Sequence, residues 1–456
     1  MNDYSLPSIP PAKLFQHAVP QMLHLDNGLD FWYVQNEMVP LMSLRIVFPD
    51  GAAIDPADKA GRAAMASSMM KEGAHGKTAQ QISDEIEFLG ATIQPSVNND
   101  TASISVQSMT QFFPQTLDIL QEIWFHADFD DDAFERLKKL TLSALKQRED
   151  NPEVIAKLAS NRAYFGDEHP YGRSIDGYID TVTALTRKDV YQTYRDLFNP
   201  GKAAFIAVGN LDPDTVRDML NARFGSISPE PTQSRTPDLP EISHALSVHI
   251  VDKPNAPQTI IRISQPAIVA TSPKTLTWQF VNIPFGASFT SRLMQNIRED
   301  KGFSYGAQSV VAVQRHAGVL LSTASVTTEV TGAALHEFLY ELDKLPKGDF
   351  TQEEFERARE TWKSELVQSF ETQGGVLATL AGLYVNKKPV DAINAFAREL
   401  PNYDLDRFNA IAHEFPTTDS AVITLVGDKN AILEQIQDMG LPTPVLRDVE
   451  GKRIQP

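Results

Sequence analysis

The sequence of 456 residues contains no cysteine, which excludes disulfides, thiolate zinc sites, iron–sulfur clusters and a cysteine nucleophile. It also lacks any run of about 18 apolar residues, so we predict no transmembrane helix and no insertion into a membrane. Positive charge is scarce, because 41 Lys and Arg against 59 Asp and Glu leave a formal net charge of −18. That balance disfavours nucleic acid and anionic membrane surfaces as partners. A metal ion would have to be held by His, Asp or Glu.

Two catalytic patterns are also missing. None of the ten histidines is paired at i, i+4 with another and a glutamate nearby, so the two-histidine helix of many zinc enzymes is absent. No G-x-S-x-G elbow occurs, which leaves a serine hydrolase of that class without support.

The first eleven residues have neither a basic nor an apolar segment. We expect a soluble protein, cytoplasmic if Met1 is the native start and periplasmic if a leader was removed.

A proline-rich segment divides the chain into two parts of similar length. Residues 229–240 carry four prolines and almost no apolar periodicity, as is typical of a linker. We therefore predict two domains, residues 1–228 and 247–456, joined by a linker over 229–246. These two parts are called the first half and the second half below.

The two halves end on similar patterns. An apolar strand pattern over 203–208 is followed by Gly209-Asn210 and a helical pattern, and the same order occurs at 421–426 with Gly427-Asp428. This order indicates an internal duplication, although strand-turn-helix units also resemble one another by chance.

Helix and strand patterns alternate irregularly within the first half. Thr78 and Gln81 have the spacing of a capping box at the start of a helix that Gly90 ends. Short strands are predicted around 91–93 and 102–106, followed by long helices over 114–126 and 131–148. The fold class predicted from these patterns is α+β.

The segment 285–305 is the most informative part of the sequence. A helical pattern reaches Arg298, and Gly302 then provides a turn into a strand that begins near Tyr305. A guanidinium and a phenol brought together there could hold a peptide carbonyl and the oxyanion that develops from it. Alternatively, Arg298 complements the helix C-terminus and Tyr305 packs half-buried in a sheet. The residues alone favour this second, structural interpretation.

The same segment resembles the C-terminal motif of the pitrilysin/insulinase family of metallopeptidases, the inverzincins. That motif has the form F-x-S-R-L-x-x-x-I-R-E-x-x-G-x-x-Y, and its arginine and tyrosine fall on Arg298 and Tyr305. Further matches are Phe48–Ala52, Leu89–Ala91 and His169–Gly172. The resemblance implies two homologous domains, each a mostly antiparallel sheet packed with helices.

The zinc motif of that family is not present. Active members carry H-x-x-E-H on a helix and a further glutamate ligand downstream, and those positions fall on Ala64, Ser67, Ser68 and Ala144. Alanine cannot bind a metal, and serine is neither a good zinc ligand nor a carboxylate base. The resemblance therefore implies a chain that has no cofactor of its own and is inactive alone.

By resemblance, the chain is the non-zinc subunit of a bacterial two-chain metallopeptidase. A paralogous subunit with H-x-x-E-H would bring zinc, and this chain would bring Arg298 and Tyr305 to a peptide substrate. Two non-catalytic relatives are alternatives. The non-catalytic subunit of the mitochondrial processing peptidase has a glycine-rich loop before S-R-L, whereas residues 283–289 here contain one glycine. Core subunits of the respiratory cytochrome complex are the structural alternative, which the retention of both Arg298 and Tyr305 disfavours.

Overall fold

The computed structural model describes residues 16–242 and 245–454. Within 16–242, the strands and helices have the following bounds: β1 Gln21–His24, β2 Asp30–Gln35, β3 Leu41–Phe48, α1 Arg62–Met69, β4 Gly73–Ala74, β5 Lys77–Thr78, α2 Ala79–Phe88, β6 Thr92–Val97, β7 Ala102–Met109, α3 Phe113–Phe125, α4 Asp131–Arg148, α5 Pro152–Phe165, α6 Ile179–Ala184, α7 Arg187–Leu197, β8 Ala204–Gly209 and α8 Pro213–Phe224.

Within 245–454, the strands and helices have the following bounds: β9 Ser247–Asp252, β10 Gln258–Ala267, α9 Thr275–Asn282, β11 Ser304–Val313, β12 Gly318–Thr327, α10 Thr331–Lys344, α11 Gln352–Ser369, α12 Gln373–Val385, α13 Ala392–Glu399, α14 Leu405–Ala412, β13 Val422–Gly427, α15 Lys429–Ile436 and β14 Val445–Arg447. Two π-helical segments, Ile283–Ala287 and Met294–Asp300, lie between α9 and β11.

Each half contains a six-stranded sheet. The first has the order β6-β7-β3-β8-β2-β1, and the second has the order β11-β12-β10-β13-β9-β14. The five strands from β6 to β2 match those from β11 to β9 in order and direction, with one parallel pair in each set, β8 with β2 and β13 with β9. The remaining pairs within these sets are antiparallel. The predicted α+β fold with two homologous, mostly antiparallel units is thereby confirmed.

Local sequence signals explain many of the element bounds. The Thr78–Gln81 capping box begins α2 as predicted, and the 131–148 prediction matches α4 to the residue. Residues 229–240 form neither helix nor strand. The predicted domain boundaries at 228 and 247 fall between the two sheets and stay predictions.

The two halves exchange helices, which their sequence patterns do not reveal. Ile155 and Ala159 of α5 pack against Val251 of β9 on the second sheet. In return, Leu377 and Leu380 of α12 pack on the first sheet. Burial of one such leucine contributes roughly 1.5–3 kcal/mol, so these crossed contacts hold the two sheets as one body. Across the described residues, no helix has both the length and the apolarity needed to cross a bilayer.

Candidate functional site

Arg298 lies in the last turn of the π-helical segment Met294–Asp300. Ile297 is buried in the core of the second half and anchors the segment. Gly302 ends it with φ +67°, a left-handed conformation that glycine adopts without strain. The Gly302 N–H donates to the Arg298 carbonyl at 3.0 Å, and the Phe303 N–H donates to the Ile297 carbonyl at 2.9 Å. The chain therefore reverses tightly from Arg298 into β11, and π-helical turns of this kind are frequent at functional sites.

Tyr305 is the second residue of β11, the edge strand of the second sheet. A register shift between Ser304 and Ala307 bulges the strand at this point. The Ser304 hydroxyl supports the bulge, because it donates to the Ser325 carbonyl at 2.8 Å and accepts from the Gly306 N–H at 3.1 Å. Bulges re-aim side chains, and the Tyr305 side chain is 93% exposed. The interpretation that Tyr305 packs half-buried in the sheet is therefore wrong.

The Arg298 guanidinium stacks on the ring of Phe289, with 4.5 Å between its central carbon and the ring centroid. Its nearest carboxylate is that of the neighbouring Glu299, with 3.4 Å between nitrogen and oxygen. Phe289 is itself 66% exposed, so the stack lies at the surface and contributes about 0.5–1 kcal/mol. In the part of the chain that the structure describes, Arg298 and Tyr305 share no hydrogen bond or ring contact, although they lie on successive, packed elements. The residue patterns did not predict the contact of Phe289 with Arg298, although Phe289 is the phenylalanine of the F-x-S-R-L motif.

The four positions of the absent zinc motif lie on α1 and α4, which pack against each other. Ala64 and Ser68 stand one turn apart on α1, and the Ser68 hydroxyl donates to the Ala64 carbonyl at 3.1 Å. Ser67 is buried, and Ala144 is exposed on α4. Throughout residues 16–242 and 245–454, no three His, Asp or Glu side chains are grouped so as to hold a metal. Two methyl groups and two hydroxyls do not fit a zinc ion.

The His169–Gly172 motif joins the two halves. The buried Tyr171 hydroxyl donates to Asp100 and accepts from the His316 N–H at 3.3 Å. The second oxygen of Asp100 accepts from the Arg315 N–H at 2.9 Å. His169 Nδ1 accepts from the Tyr171 N–H at 3.1 Å, and burial lowers the His169 pKa to about 4, which keeps the ring neutral. Tyr171 and Asp100 thus connect the first half to the β11–β12 hairpin. Arg315 in that hairpin lies 215 residues from Asp100 in the sequence, so no sequence spacing reveals this contact.

The fold and the motifs can be compared with known proteins. Residues 32–175 match the family described as Insulinase (Peptidase family M16), and residues 184–361 match the family described as Peptidase M16 inactive domain. The chain belongs to the insulinase family of peptidases, family M16, as its resemblance to that family implied.

Relatives in this family are distant in sequence. The uncharacterized zinc protease YmxG of Bacillus subtilis is 21% identical over 401 residues, which cover 87% of this chain and 95% of the relative. The probable inactive metalloprotease YmfF of the same organism is 22% identical, over 59% of this chain and 64% of the relative.

Solved structures share the fold. A peptidase M16 inactive domain from Pseudomonas fluorescens superposes with a TM-score of 0.80 at 20% identity, over 90% of this chain and 98% of that chain. The periplasmic protease PqqL from Escherichia coli gives 0.74 at 15% identity, over 93% of this chain but 49% of PqqL. The separately solved first half of PqqL also gives 0.74, at 16% identity, with 95% of it covered and 93% of this chain.

Proposed function

We propose that this chain is the non-zinc subunit of a heterodimeric metallopeptidase. In this proposal Arg298 and Tyr305 bind the carbonyl of a peptide substrate while hydrolysis takes place at the zinc of a paralogous H-x-x-E-H subunit. The two homologous domains, 1–228 and 247–456, joined through 229–246, would form half of the enclosure around the substrate.

The exposure of Tyr305 carries the proposal. A tyrosine ring that is 93% exposed, on a bulged edge strand, gains little from burial within its own chain. The guanidinium of Arg298, on the segment that packs against β11, has its apolar face covered by Phe289 and no carboxylate closer than 3.4 Å. An exposed phenol and a partly exposed cation on two packed elements are suited to a ligand that comes from outside the chain.

Both side chains donate hydrogen bonds, which suits an oxygen that becomes negatively charged. Hydrolysis of a peptide bond leaves negative charge on the carbonyl oxygen, and donors placed near it stabilise the transition state more than the ground state. The planar guanidinium of Arg298 supplies a fixed charge and the Tyr305 hydroxyl supplies a directed dipole.

The need for a partner follows from the residues on α1 and α4. Ala64, Ser67, Ser68 and Ala144 offer no set of zinc ligands, so a complete site needs ligands from another chain. The coverage of half of PqqL supports an assembly of two such units. The name of YmfF, a probable inactive metalloprotease, supports a family member without activity of its own.

Coexpression with a family M16 paralogue that carries H-x-x-E-H tests the proposal. We expect one complex in size-exclusion chromatography, with one zinc ion per pair, and peptide hydrolysis that neither chain alone performs. Each chain is analysed alone for zinc and for hydrolysis as a control. One tightly held zinc ion in this chain alone, with hydrolysis that a chelator abolishes, would refute the proposal. An inactive complex with respiratory proteins would favour the structural alternative.

A further inference from the structure

A cavity of about 590 Å³ lies where the two halves meet. Its walls come from the first sheet, the linker and the end of α12, and include Trp32, Ser234 and Tyr384. A volume of this size is typical of pockets that hold small organic molecules. The cavity is separate from Arg298 and Tyr305, neither of which lines it.

Four cationic side chains line this cavity in a protein of net charge −18: Lys202, Arg315, Lys387 and Lys388. Among the ion pairs of the described residues, none uses any of these four side chains. Arg315 donates from Nη1 to the Pro49 carbonyl at 2.8 Å and to the Ser234 hydroxyl. The Nη1 group is therefore held by neutral oxygens, and the guanidinium forms no ion pair within the described residues.

The carboxylate in the cavity wall forms no ion pair with these cations, so a net positive charge remains in the wall. Asp30 is the one acidic residue among the described lining residues. One of its oxygens accepts from the Tyr384 hydroxyl at 2.6 Å, and the other lies 3.1 Å from His24 Nδ1. Both oxygens of Asp30 thus have partners outside the lysine cluster.

Lys388 shows the cost of this arrangement. Burial lowers the pKa of Lys388, because its ammonium is partly desolvated without a compensating carboxylate. The neighbouring Lys387 adopts φ +52° as part of the hydrogen-bonded end of α12, where the Lys388 N–H donates to the Leu383 carbonyl at 2.9 Å. An unpaired, partly buried charge is a feature that clusters at binding sites.

Part of the remaining cavity wall is apolar and aromatic, and the linker adds the polar side chains of Thr232, Gln233 and Ser234. The rings of Trp32 and Tyr384 meet edge to face, with centroids 5.1 Å apart, and Val47 and Leu383 continue the apolar surface. A ligand that matches both parts of the wall has a negatively charged head and a flat apolar body.

We propose that this cavity binds a small organic anion in which two or more negative charges are attached to an aromatic body. The charged head would lie against Lys202, Lys388 and Arg315, and the body against Trp32. A phosphate ester and a polycarboxylate share this chemistry. This site is independent of the proposed peptidase function.

Isothermal titration calorimetry of the full chain at low salt tests the proposal with two probes, phenyl phosphate and benzene-1,3-dicarboxylate. We expect at least one probe to bind with one-to-one stoichiometry and to change the fluorescence of Trp32, a change that Trp32→Phe removes. Tighter binding of one probe assigns the head as phosphate or as carboxylate. Inorganic phosphate should bind at least about fivefold more weakly than phenyl phosphate, because it lacks the aromatic body.

Lysine variants connect that binding to this cavity. Lys388→Met should weaken the better probe at least about fivefold, and Lys202→Gln, on a different element, should weaken it in the same direction. Lys188→Gln, at an exposed lysine of α7, is the matched control and should stay within about twofold. If circular dichroism shows that Lys388→Met does not fold, the effect of Lys202→Gln on probe binding decides whether the probe binds in this cavity. Absence of binding by both probes, binding unchanged in both variants, or inorganic phosphate as tight as phenyl phosphate would overturn the proposal.

Discussion

Removal of the Tyr305 hydroxyl separates a functional role from a structural one. The side chain is 93% exposed, and the described residues offer its hydroxyl no hydrogen-bond partner. Tyr305→Phe should therefore change the free energy of unfolding by less than about 0.5 kcal/mol. If the hydroxyl stabilises an oxyanion at the partner's active site, its loss should lower turnover of the assembled complex by about 10²- to 10³-fold, which is roughly 3–4 kcal/mol of transition-state stabilisation.

The assay measures initial rates on a fluorogenic peptide, with the variant chain and the wild-type partner at fixed ratio. Zinc content and the elution volume of the complex should stay unchanged, because Tyr305 is expected to touch neither metal nor core. Tyr340→Phe is the matched control, since Tyr340 is half exposed on α10, outside the proposed site, and its variant should stay fully active. Turnover within a few-fold of wild type for both Tyr305→Phe and Arg298→Ala would show that the pair has no catalytic role.

Three further predictions concern the pair and the fold. Arg298→Lys should also lose turnover about 10²-fold at unchanged zinc content, because an ammonium lacks the planar fork; full activity of this variant would contradict the geometry. Burial lowers the pKa of His169 to about 4 and that of His249 to about 3, so the unfolded chain binds protons below pH 6.5 that the folded chain excludes. As the pH falls from 6.5 to 5, each histidine should therefore lower the free energy of unfolding by about 2 kcal/mol. In urea titrations, the free energy of unfolding should depend less on pH in His249→Gln than in the exposed control His336→Gln. Leu380→Ala, in helix α12 that packs on the first sheet, should lower the free energy of unfolding by about 2–5 kcal/mol. In the same urea titration, the control Leu140→Ala, at an exposed leucine, should lower it by less than about 1 kcal/mol. Equal losses in the two variants would contradict the packing role of α12.

Acid destabilisation has a definite contact behind it at His249. Arg447 Nε donates to His249 Nδ1 at 3.1 Å in a buried setting. Protonation of that nitrogen would remove the acceptor and place two cations together, which adds to the cost of burial. The histidine prediction therefore depends on tertiary contacts, because His249 and Arg447 lie 198 residues apart in sequence.

Local features of the fold could be predicted because they depend on neighbours in sequence. The capping box at Thr78, the glycine turn at Gly302 and the bounds of α4 follow from hydrogen bonds that span a few residues. The π-helical form of Met294–Asp300 could not be predicted, since its sequence is compatible with an ordinary α-helix and its packing against β11 exists only in the folded chain.

The sequence alone indicated the family and the two homologous α+β halves, and it contains no H-x-x-E-H motif, because each of these depends on which residue types stand at given spacings. The tertiary structure decided which side chains are exposed and which residues become neighbours. The exposure of Tyr305 follows from a bulge in an edge strand, and in the exchange of α5 and α12 the apolar face of each helix is covered by the sheet of the other half. The lysine-lined cavity brings together Trp32 from the first half and Lys388 from the second half. No local pattern encodes such contacts, because they result from the burial of surfaces that become neighbours only when the chain folds.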